Sequence, residues 1–404
     1  MKHVLMVGRS LEMLTKGVKH GVRYSMICRK APRIGFDDLQ HFSRIVMLSP
    51  DADVQEWVAH ARLIHERDPV EVIGGFTEDE EAVSAEIALA LGLGYHTPDV
   101  VANTHDKFRM RQELRASGLD DTKSCLLPEV DSERIRAFAA ENGYPVVIKP
   151  VDAGGSLGVS IARSEHDLET AIRWFEQWAS KHALLVESYL EGDEWSVEAF
   201  SEAGAHRIMC ITRKYKDPKT CVETGHCLPA TLDSAQTQAI HDLVCATLTA
   251  LGVANGPTHT EVITTPNGPR VVETHTRMGG DLIGKLIRIV TGIDPHELWW
   301  RQTLGESVID EVPVCGEGKH AAIRYVSPRA FGTLERVEGI QEARACPGVE
   351  DLGVLKKPGT EIGEVFDSSS RVAAVIAVGE SVEEAVDRAV EATKAIRFVV
   401  ACQA

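Results

Sequence analysis

Residues His259-Thr-Glu261-Val-Ile-Thr-Thr-Pro266-Asn267-Gly268-Pro269-Arg-Val-Val-Glu273-Thr-His275-Thr-Arg277-Met-Gly-Gly-Asp281 hold two β-rich runs around a Pro-Asn-Gly-Pro turn, and the pattern predicts a hairpin. With the loop centred on Asn267, Glu261 and Glu273 fall opposite each other on one sheet face, their carbons roughly 5 Å apart. A centre half a residue later separates them onto opposite faces, so the register is itself an expectation. Period-two alternation then lines Glu273, His275 and Arg277 along one face.

Two carboxylates that close repel by about 3 kcal/mol at an effective dielectric near ~20, so the pair calls for a cation between them. Magnesium fits the chemistry: it takes hard oxygen ligands at about 2.0–2.1 Å and shares its shell between one or two carboxylates and substrate phosphates. For an isolated hairpin, the plain alternative is ordinary surface charge.

The chain has 404 residues, 44% hydrophobic and 25% charged, an ordinary globular composition long enough for two or three domains. No apolar run approaches the ~18–20 residues of a membrane span. The opening Met-Lys-His-Val-Leu-Met-Val-Gly reads as a short buried strand and not as a secretory signal, so a cytoplasmic location is expected. A formal charge of −17 argues against nucleic-acid or anionic-membrane partners, and any anionic ligand needs a local nest of positive groups. Nine cysteines, odd in number and without a Cys-x-x-Cys pair, suit reduced thiols. Cys221, His226 and Cys227 cluster at a spacing that matches no zinc pattern.

Residues 1–102 alternate apolar runs (Val4 to Val7, Arg44 to Leu48, Val70 to Ile73) with helical stretches (Asp53 to Arg67, Glu78 to Leu91), which predicts an α/β unit with a parallel sheet. Gly8-Arg9-Ser10 lacks the three-glycine dinucleotide fingerprint. Gly74-Gly75-Phe76 stands at a strand end, where open α/β sheets bind ligands; a plain tight turn reads equally well. Asn103-Thr104 is expected to cap a helix leading into a second region, with Lys107, Arg111 and Arg115 on one face, a solvated basic face being the plain alternative.

The run Tyr144-Pro-Val-Val-Ile-Lys149-Pro150 is an apolar strand ending in lysine, and Gly154-Gly155-Ser156-Leu157-Gly158 follows it. A glycine run between two β-type runs lets backbone N–H groups close around phosphate oxygens, with Lys149 supplying charge. It is not the Walker arrangement, because the lysine precedes the glycines. Helices are expected at 132–142, 165–180 and 236–251; Ala183 to Gly192 is a strand, and Glu194 to Ala199 alternates as a half-buried one. Cys221 to Pro229 is read as a polar, bent run. Helices at 282–291 and from Gly292-Ile-Asp-Pro295 onward follow, and from Val312 short strands and a helix at 381–395 predict an α+β region.

With Lys107, Lys149, Gly154 to Gly158, Glu187, Glu194, Glu261, Glu273, His275 and Arg277 in that order, the chain resembles the ATP-grasp carboxylate–amine ligases, nearest to the L-amino-acid ligases or dipeptide synthetases. The resemblance implies an α/β and α+β architecture: a pre-ATP-grasp parallel-sheet domain (1–102), a two-part ATP-grasp region (103–311) and a C-terminal α+β lid region (312–404). It implies that Lys107 and Lys149 hold ATP phosphates and that Gly154, Gly155, Ser156, Leu157 and Gly158 form the mobile loop over them. Glu187, Tyr189 and Leu190 resemble the hinge segment that meets adenine, and Glu194 the acid that takes the ribose hydroxyls. Glu261 and Glu273 match the Mg²⁺ ligands, with Mn²⁺ the alternative ion, and Arg277 the arginine that steadies the transferred phosphoryl group.

The chain departs from the pattern at His275, where many relatives carry asparagine. His226, in a Glu-Thr-Gly-His-x-x-Pro run, is a candidate for substrate contact or proton handling, with a structural histidine the alternative. Asp281 stands where some relatives have a bulky aromatic group; an acid there suits a cationic amine, or caps the next helix. The implied activity is ATP-dependent joining of a carboxylate to an amine through an acyl phosphate, with small-molecule substrates; apart from the resemblance, the oligomeric state is open and a homodimer is the default expectation. The alternatives are a bicarbonate- or formate-using enzyme of the biotin-carboxylase or purine-pathway kind, and a nucleotide-binding regulatory subunit.

Overall fold

The computed structural model describes residues 1–29, 40–316, 318–328 and 331–401. β1 (His3–Val7), β2 (Arg23–Cys28), β3 (Phe42–Met47) and β4 (Val72–Gly75) form a parallel sheet in the order β3-β2-β1-β4. Every residue of β1 is buried because helices cover both faces of such a sheet. Those helices are α1 (Leu11–Lys19), α2 (Val54–Arg67) and α3 (Glu81–Leu91). Asp53 starts α2 by accepting the Glu56 N–H at 2.9 Å. The strand order reverses between β1 and β4, which makes the carboxyl end of β4 a ligand-binding position of an open sheet.

Two helices, α4 (Pro98–His105) and α5 (Lys107–Ala116), lead out of this unit. The cap falls at Asp106 and not at Asn103-Thr104: the Asp106 carboxylate accepts the N–H groups of Phe108 and Arg109 at 2.8 and 2.9 Å. Thr104 instead lies inside α4 and donates its hydroxyl back to the Val100 carbonyl. The break puts Lys107 at the first position of α5. Neither Lys107 nor Arg111 is solvated; they are 5% and 1% exposed.

A small antiparallel sheet follows, order β5-β8-β6-β7, from β5 (Ser124–Leu127), β6 (Val146–Pro150), β7 (Ser160–Ala162) and β8 (Leu184–Ser188). The helices α6 (Ser132–Asn142) and α7 (Glu165–Ala179) pack on it through Phe138, Phe175 and their neighbours. The glycine run joins β6 to β7, as the sequence predicts.

The largest element is an eight-stranded antiparallel sheet, order β13-β12-β9-β10-β11-β14-β18-β16. It takes β9 (Asp193–Glu202), β10 (Ala205–Lys216) and β11 (Glu223–Leu228), then, after α8 (Ser234–Ala250), β12 (Gly256–Thr265) and β13 (Gly268–His275). The helices α9 (Ile283–Thr291) and α10 (Pro295–Thr303) lead to β14 (His320–Val326). A three-stranded sheet at the edge holds β15 (Gly332–Glu338), β17 (Glu361–Ile362) and β19 (Arg397–Ala401), with α11 (Ile340–Arg344) and β16 (Val349–Val354) between. β18 (Ala373–Gly379) and α12 (Val382–Lys394) complete the chain order.

Two expectations change here. β9 is buried on both faces from Trp195 to Ser201 because it sits at the centre of the sheet, so it is not half-buried. Cys221 to Pro229 is not a bent run: Glu223–Leu228 pairs with β10 on one side and β14 on the other. The same sheet also runs across residue 312, since β14 and β18 continue the ladder of β9 to β13. One apolar core further ties the first sheet to the body: Trp300 of α10 is fully buried against Tyr24 and Phe76 and donates its indole N–H to the Met13 carbonyl.

Candidate active site

The hairpin β12–β13 is present, but its turn differs from expectation. Thr265 pairs with Gly268 and Val262 with Val271, so the loop is Pro266-Asn267 and its centre lies half a residue early. That phase alone sets Glu261 opposite residue 272. A bulge at Val272 adds the missing half-step, and Glu261 pairs with Glu273 after all. The bulged strand leaves carbonyls out of the ladder, and the Arg111 guanidinium takes them: it donates to the Val271 carbonyl and, at 3.3 Å, to that of Val272. Arg111 also donates to Glu187 at 2.7 Å and to Asp120 at 3.1 Å. One buried cation on α5 thus joins the hairpin to the small sheet.

Both acids are enclosed by cations. Lys107 lies 2.8 Å from Glu273, and His275 Nε2 lies 3.2 Å from the same carboxylate. Lys214 of β10 reaches Glu261, with Glu194 at 2.8 Å and Glu223 at 3.4 Å around the same ammonium. His259 Nε2 is 3.6 Å from Glu261 and its Nδ1 is 2.6 Å from the fully buried Glu198. Burial favours the protonated acids, yet Lys214 beside Glu261 and Lys107 beside Glu273 prevail and hold both carboxyls well below the usual range. Burial likewise opposes charge on His259, but Glu198 overrides it and raises the imidazole to about 10.

The pair stands where two cavities meet. The first, about 430 Å³, is lined on one side by Lys107, Lys149, Gly154, Gly155 and Ser156, and on the other by Glu187, Tyr189, Leu190 and Glu194. Leu157 and Gly158 do not line it; Gly158 packs against Ala179, and a Cβ there would come within 2.4 Å of the Ala179 Cβ. The loop is pinned at Ser156, whose hydroxyl donates to the Cys221 carbonyl at 3.0 Å, and at Gly155, whose carbonyl receives the Ser368 N–H at 3.3 Å. Lys149 pairs with Glu187, whose carboxyl is held down to about 2 by Arg111 and Lys149 against the cost of its burial.

The second cavity, about 390 Å³, shares Gly154, Lys214, Glu261 and Glu273 with the first and extends to Arg277, His226 and Asp281. Arg277 donates to Glu78 at 2.7 Å and to the Met278 carbonyl at 2.9 Å. His226 Nε2 lies 2.7 Å from Asp281, while its buried Nδ1 has no partner among the described residues. Asp281 does not cap α9, where Leu282 takes the cap position without a side-chain bond. Nor is Asp281 a free anion awaiting a cationic amine, because Arg371 holds it at 2.6 Å and stacks over Tyr325 at 3.8 Å.

The donor set suits magnesium. Two carboxylates on one face supply hard oxygens, too few for an all-protein cage, and both line the first cavity. Cys221, His226 and Cys227 do not form a ligand cluster among the described residues. Lys214, Arg111, His259, Glu198, Glu78 and Arg371 were not singled out from the sequence as site residues. Alternation along Arg213-Lys214-Tyr215-Lys216 carried a signal for Lys214 and Lys216 on one face; the partners of Arg111 and Arg371 lie too far away in sequence to read.

Residues 142–285 match the family model for an ATP-grasp domain, and residues 324–401 that for the L-amino acid ligase C-terminal domain 2. The chain carries an ATP-grasp domain followed by an L-amino acid ligase C-terminal domain. An uncharacterized protein of Sinorhizobium fredii is 28% identical over 79% of this chain and 67% of its own length. A D-alanine–D-alanine ligase of Xanthomonas axonopodis is 28% identical over 33% of this chain, an alignment that spans 42% of that enzyme. The crystal structure of an L-amino acid ligase from Bacillus licheniformis superposes with a TM-score of 0.84 over 100% of this chain and 99% of that one, at 20% identity. The ATP-grasp fold therefore extends beyond the two matched segments, from the N-terminal sheet to the last described strand.

Proposed function

We propose that the protein joins a small carboxylate, most simply that of an amino acid, to an amine, consuming ATP. In this reading the carboxylate oxygen attacks the γ-phosphorus, ADP leaves, and the amine nitrogen then displaces phosphate from the acyl phosphate. The observation that carries it is the opposed Glu261–Glu273 pair at the junction of two cavities, one rich in loop amides and lysines and the other holding Arg277. Glu261 and Glu273 are the residues to hold Mg²⁺, with Mn²⁺ the alternative ion, which supplies charge neutralisation between polyphosphate and approaching carboxylate.

The chain's own groups do the remaining work. Lys107 and Lys149 sit in contact with carboxylates that a polyphosphate would replace as their partner. Arg277 is held by Glu78 at the carboxylate end, where charge develops during transfer. The pinned glycine loop keeps water from the acyl phosphate. Glu187, Tyr189 and Leu190 border the adenine end and Glu194 the ribose in this reading, with His226 as a substrate-side group and His275 acting through Glu273, 3.2 Å away. The division into 1–102, 103–311 and 312–404 belongs to the same proposal, as do a homodimer and a cytoplasmic location; among the described residues no helix is long and apolar enough to cross a membrane.

The match of residues 324–401 to the amino-acid-ligase C-terminal domain favours this reading over a bicarbonate- or formate-using enzyme. A pairwise amino-acid screen for phosphate release, with mass detection of product, tests it. A condensed product with one phosphate per bond is expected. Bicarbonate-stimulated, amine-independent ADP release, or no ADP release with any pair, overturns it.

A further inference from the structure

A third cavity, of about 360 Å³, lies apart from the two that meet at Glu261 and Glu273. It opens at the carboxyl end of β4, beside the point where the order of the parallel sheet reverses, and Gly75 and Phe76 form part of its wall. The Gly74-Gly75-Phe76 run, which the nucleotide and substrate cavities leave unused, finds its place here. Trp299 of α10 and the turn at Gly256 that enters β12 also line it.

Its chemistry differs from that of the active site. No Asp, Glu, Lys or Arg lines it, in a chain with 103 such residues, 43 basic and 60 acidic. Phe76, Tyr95, Trp299 and Val100 provide flat or apolar surface, and Phe76 meets Trp299 edge-on with centroids 4.9 Å apart. Two ring nitrogens converge on one spot: Trp299 Nε1 lies 3.6 Å and His96 Nε2 3.8 Å from the point that a Cβ on Gly256 would occupy. Neither nitrogen has a hydrogen-bond partner among the described residues. Burial lowers the His96 imidazole to about 4, so it is neutral at pH 7. Glycine at 256, with φ of +85°, keeps that spot open.

We propose that this cavity is a second small-molecule site, separate from the ligase reaction, that binds an uncharged planar heteroaromatic compound. A charged ligand would be desolvated without a counter-ion, whereas a flat neutral ring lies against the joined Phe76–Trp299 surface and offers its edge to the Trp299 and His96 nitrogens. The same segment carries Glu78 two residues beyond Phe76, and that carboxylate lines the second cavity and holds Arg277.

The test uses 7-azaindole, a neutral bicycle with one ring N–H and one ring acceptor, titrated into the full chain in saturating ATP and Mg²⁺ with a non-reacting amine. Saturable binding of one equivalent, unchanged by nucleotide and weakened at least tenfold by Ala254→Trp at the cavity rim, is expected. Binding that fails to saturate, that nucleotide abolishes, or that a folded Ala254→Trp variant retains overturns the proposal. Should that variant not fold, a crystal of the unmodified protein soaked in 7-azaindole decides: density between Phe76, His96 and Trp299 supports the site, and density only elsewhere, or none, overturns it.

Discussion

In the proposed reaction, Glu273 is the residue on which the chemistry turns. Glu273→Gln removes one of two anionic oxygen donors, and ADP release is expected to fall by about a hundredfold or more; a coupled ADP assay at saturating Mg²⁺, with circular dichroism as the folding control, checks it. Glu81 has a different consequence. Burial raises its carboxyl to about 7 from 4.5, against the opposing charge of Arg277. The native chain therefore keeps a proton between about pH 4.5 and 7 that the unfolded chain releases, so this contribution is full below the lower value and is lost as pH rises to the upper, by roughly 3 kcal/mol. Glu81→Gln should flatten the pH dependence of urea-unfolding stability across that window by a comparable amount. At this scale the sequence was most legible where chemistry and alternation coincided. Glu261, Glu273 and Lys149 could be read from their own strands, whereas His259 and Lys214 acquire their roles only from Glu198 and Glu261 on neighbouring strands.

Elements carry the next set of effects. The α4–α5 break depends on Asp106, and Asp106→Ala should cost about 1 kcal/mol of stability while raising the KM for ATP several-fold, because Lys107 is the first residue of the helix it caps; denaturant unfolding and initial rates measure the two. Arg111 joins α5 to the hairpin and to β8. Arg111→Met leaves Glu187 and Asp120 without their shared cation and should destabilise by about 3–5 kcal/mol in denaturant unfolding. The sequence placed most helices and the hairpin, since periodicity and turn residues are local signals. It missed the cap because Thr104 has the same capping chemistry as Asp106, and β11 because its polar residues face a cavity, not solvent. The hairpin phase was inferred from a turn centred on Asn267; the true turn and the Val272 bulge deviate in ways that cancel at Glu273.

Across the whole molecule, the stretch from Phe366 to Arg371 connects parts that the sequence shows as unrelated. Phe366 stacks on Trp178 with ring centroids 4.0 Å apart, Ser368 reaches Gly155 and Glu223, and Arg371 holds Asp281. An aromatic pair is worth about 0.5–1.5 kcal/mol, so Phe366→Ala should let the loop open some two- to tenfold more often. Phosphate release should then exceed product formation, measurable as a ratio above one in a paired phosphate and mass assay. A change of pattern near Val312 suggests a boundary, but the continuity of the sheet across it was not legible, because strand pairing between β11 and β14 leaves no mark on either strand alone.

That late segment sets an order on biosynthesis. A ribosome that has emitted everything through β13 has delivered both acids and the glycine run, yet Ser368 and Arg371 are still unmade. Such a nascent chain holds the proposed polyphosphate cradle without the piece that fastens the loop and braces Asp281, so productive turnover must await translation of residues 366–371.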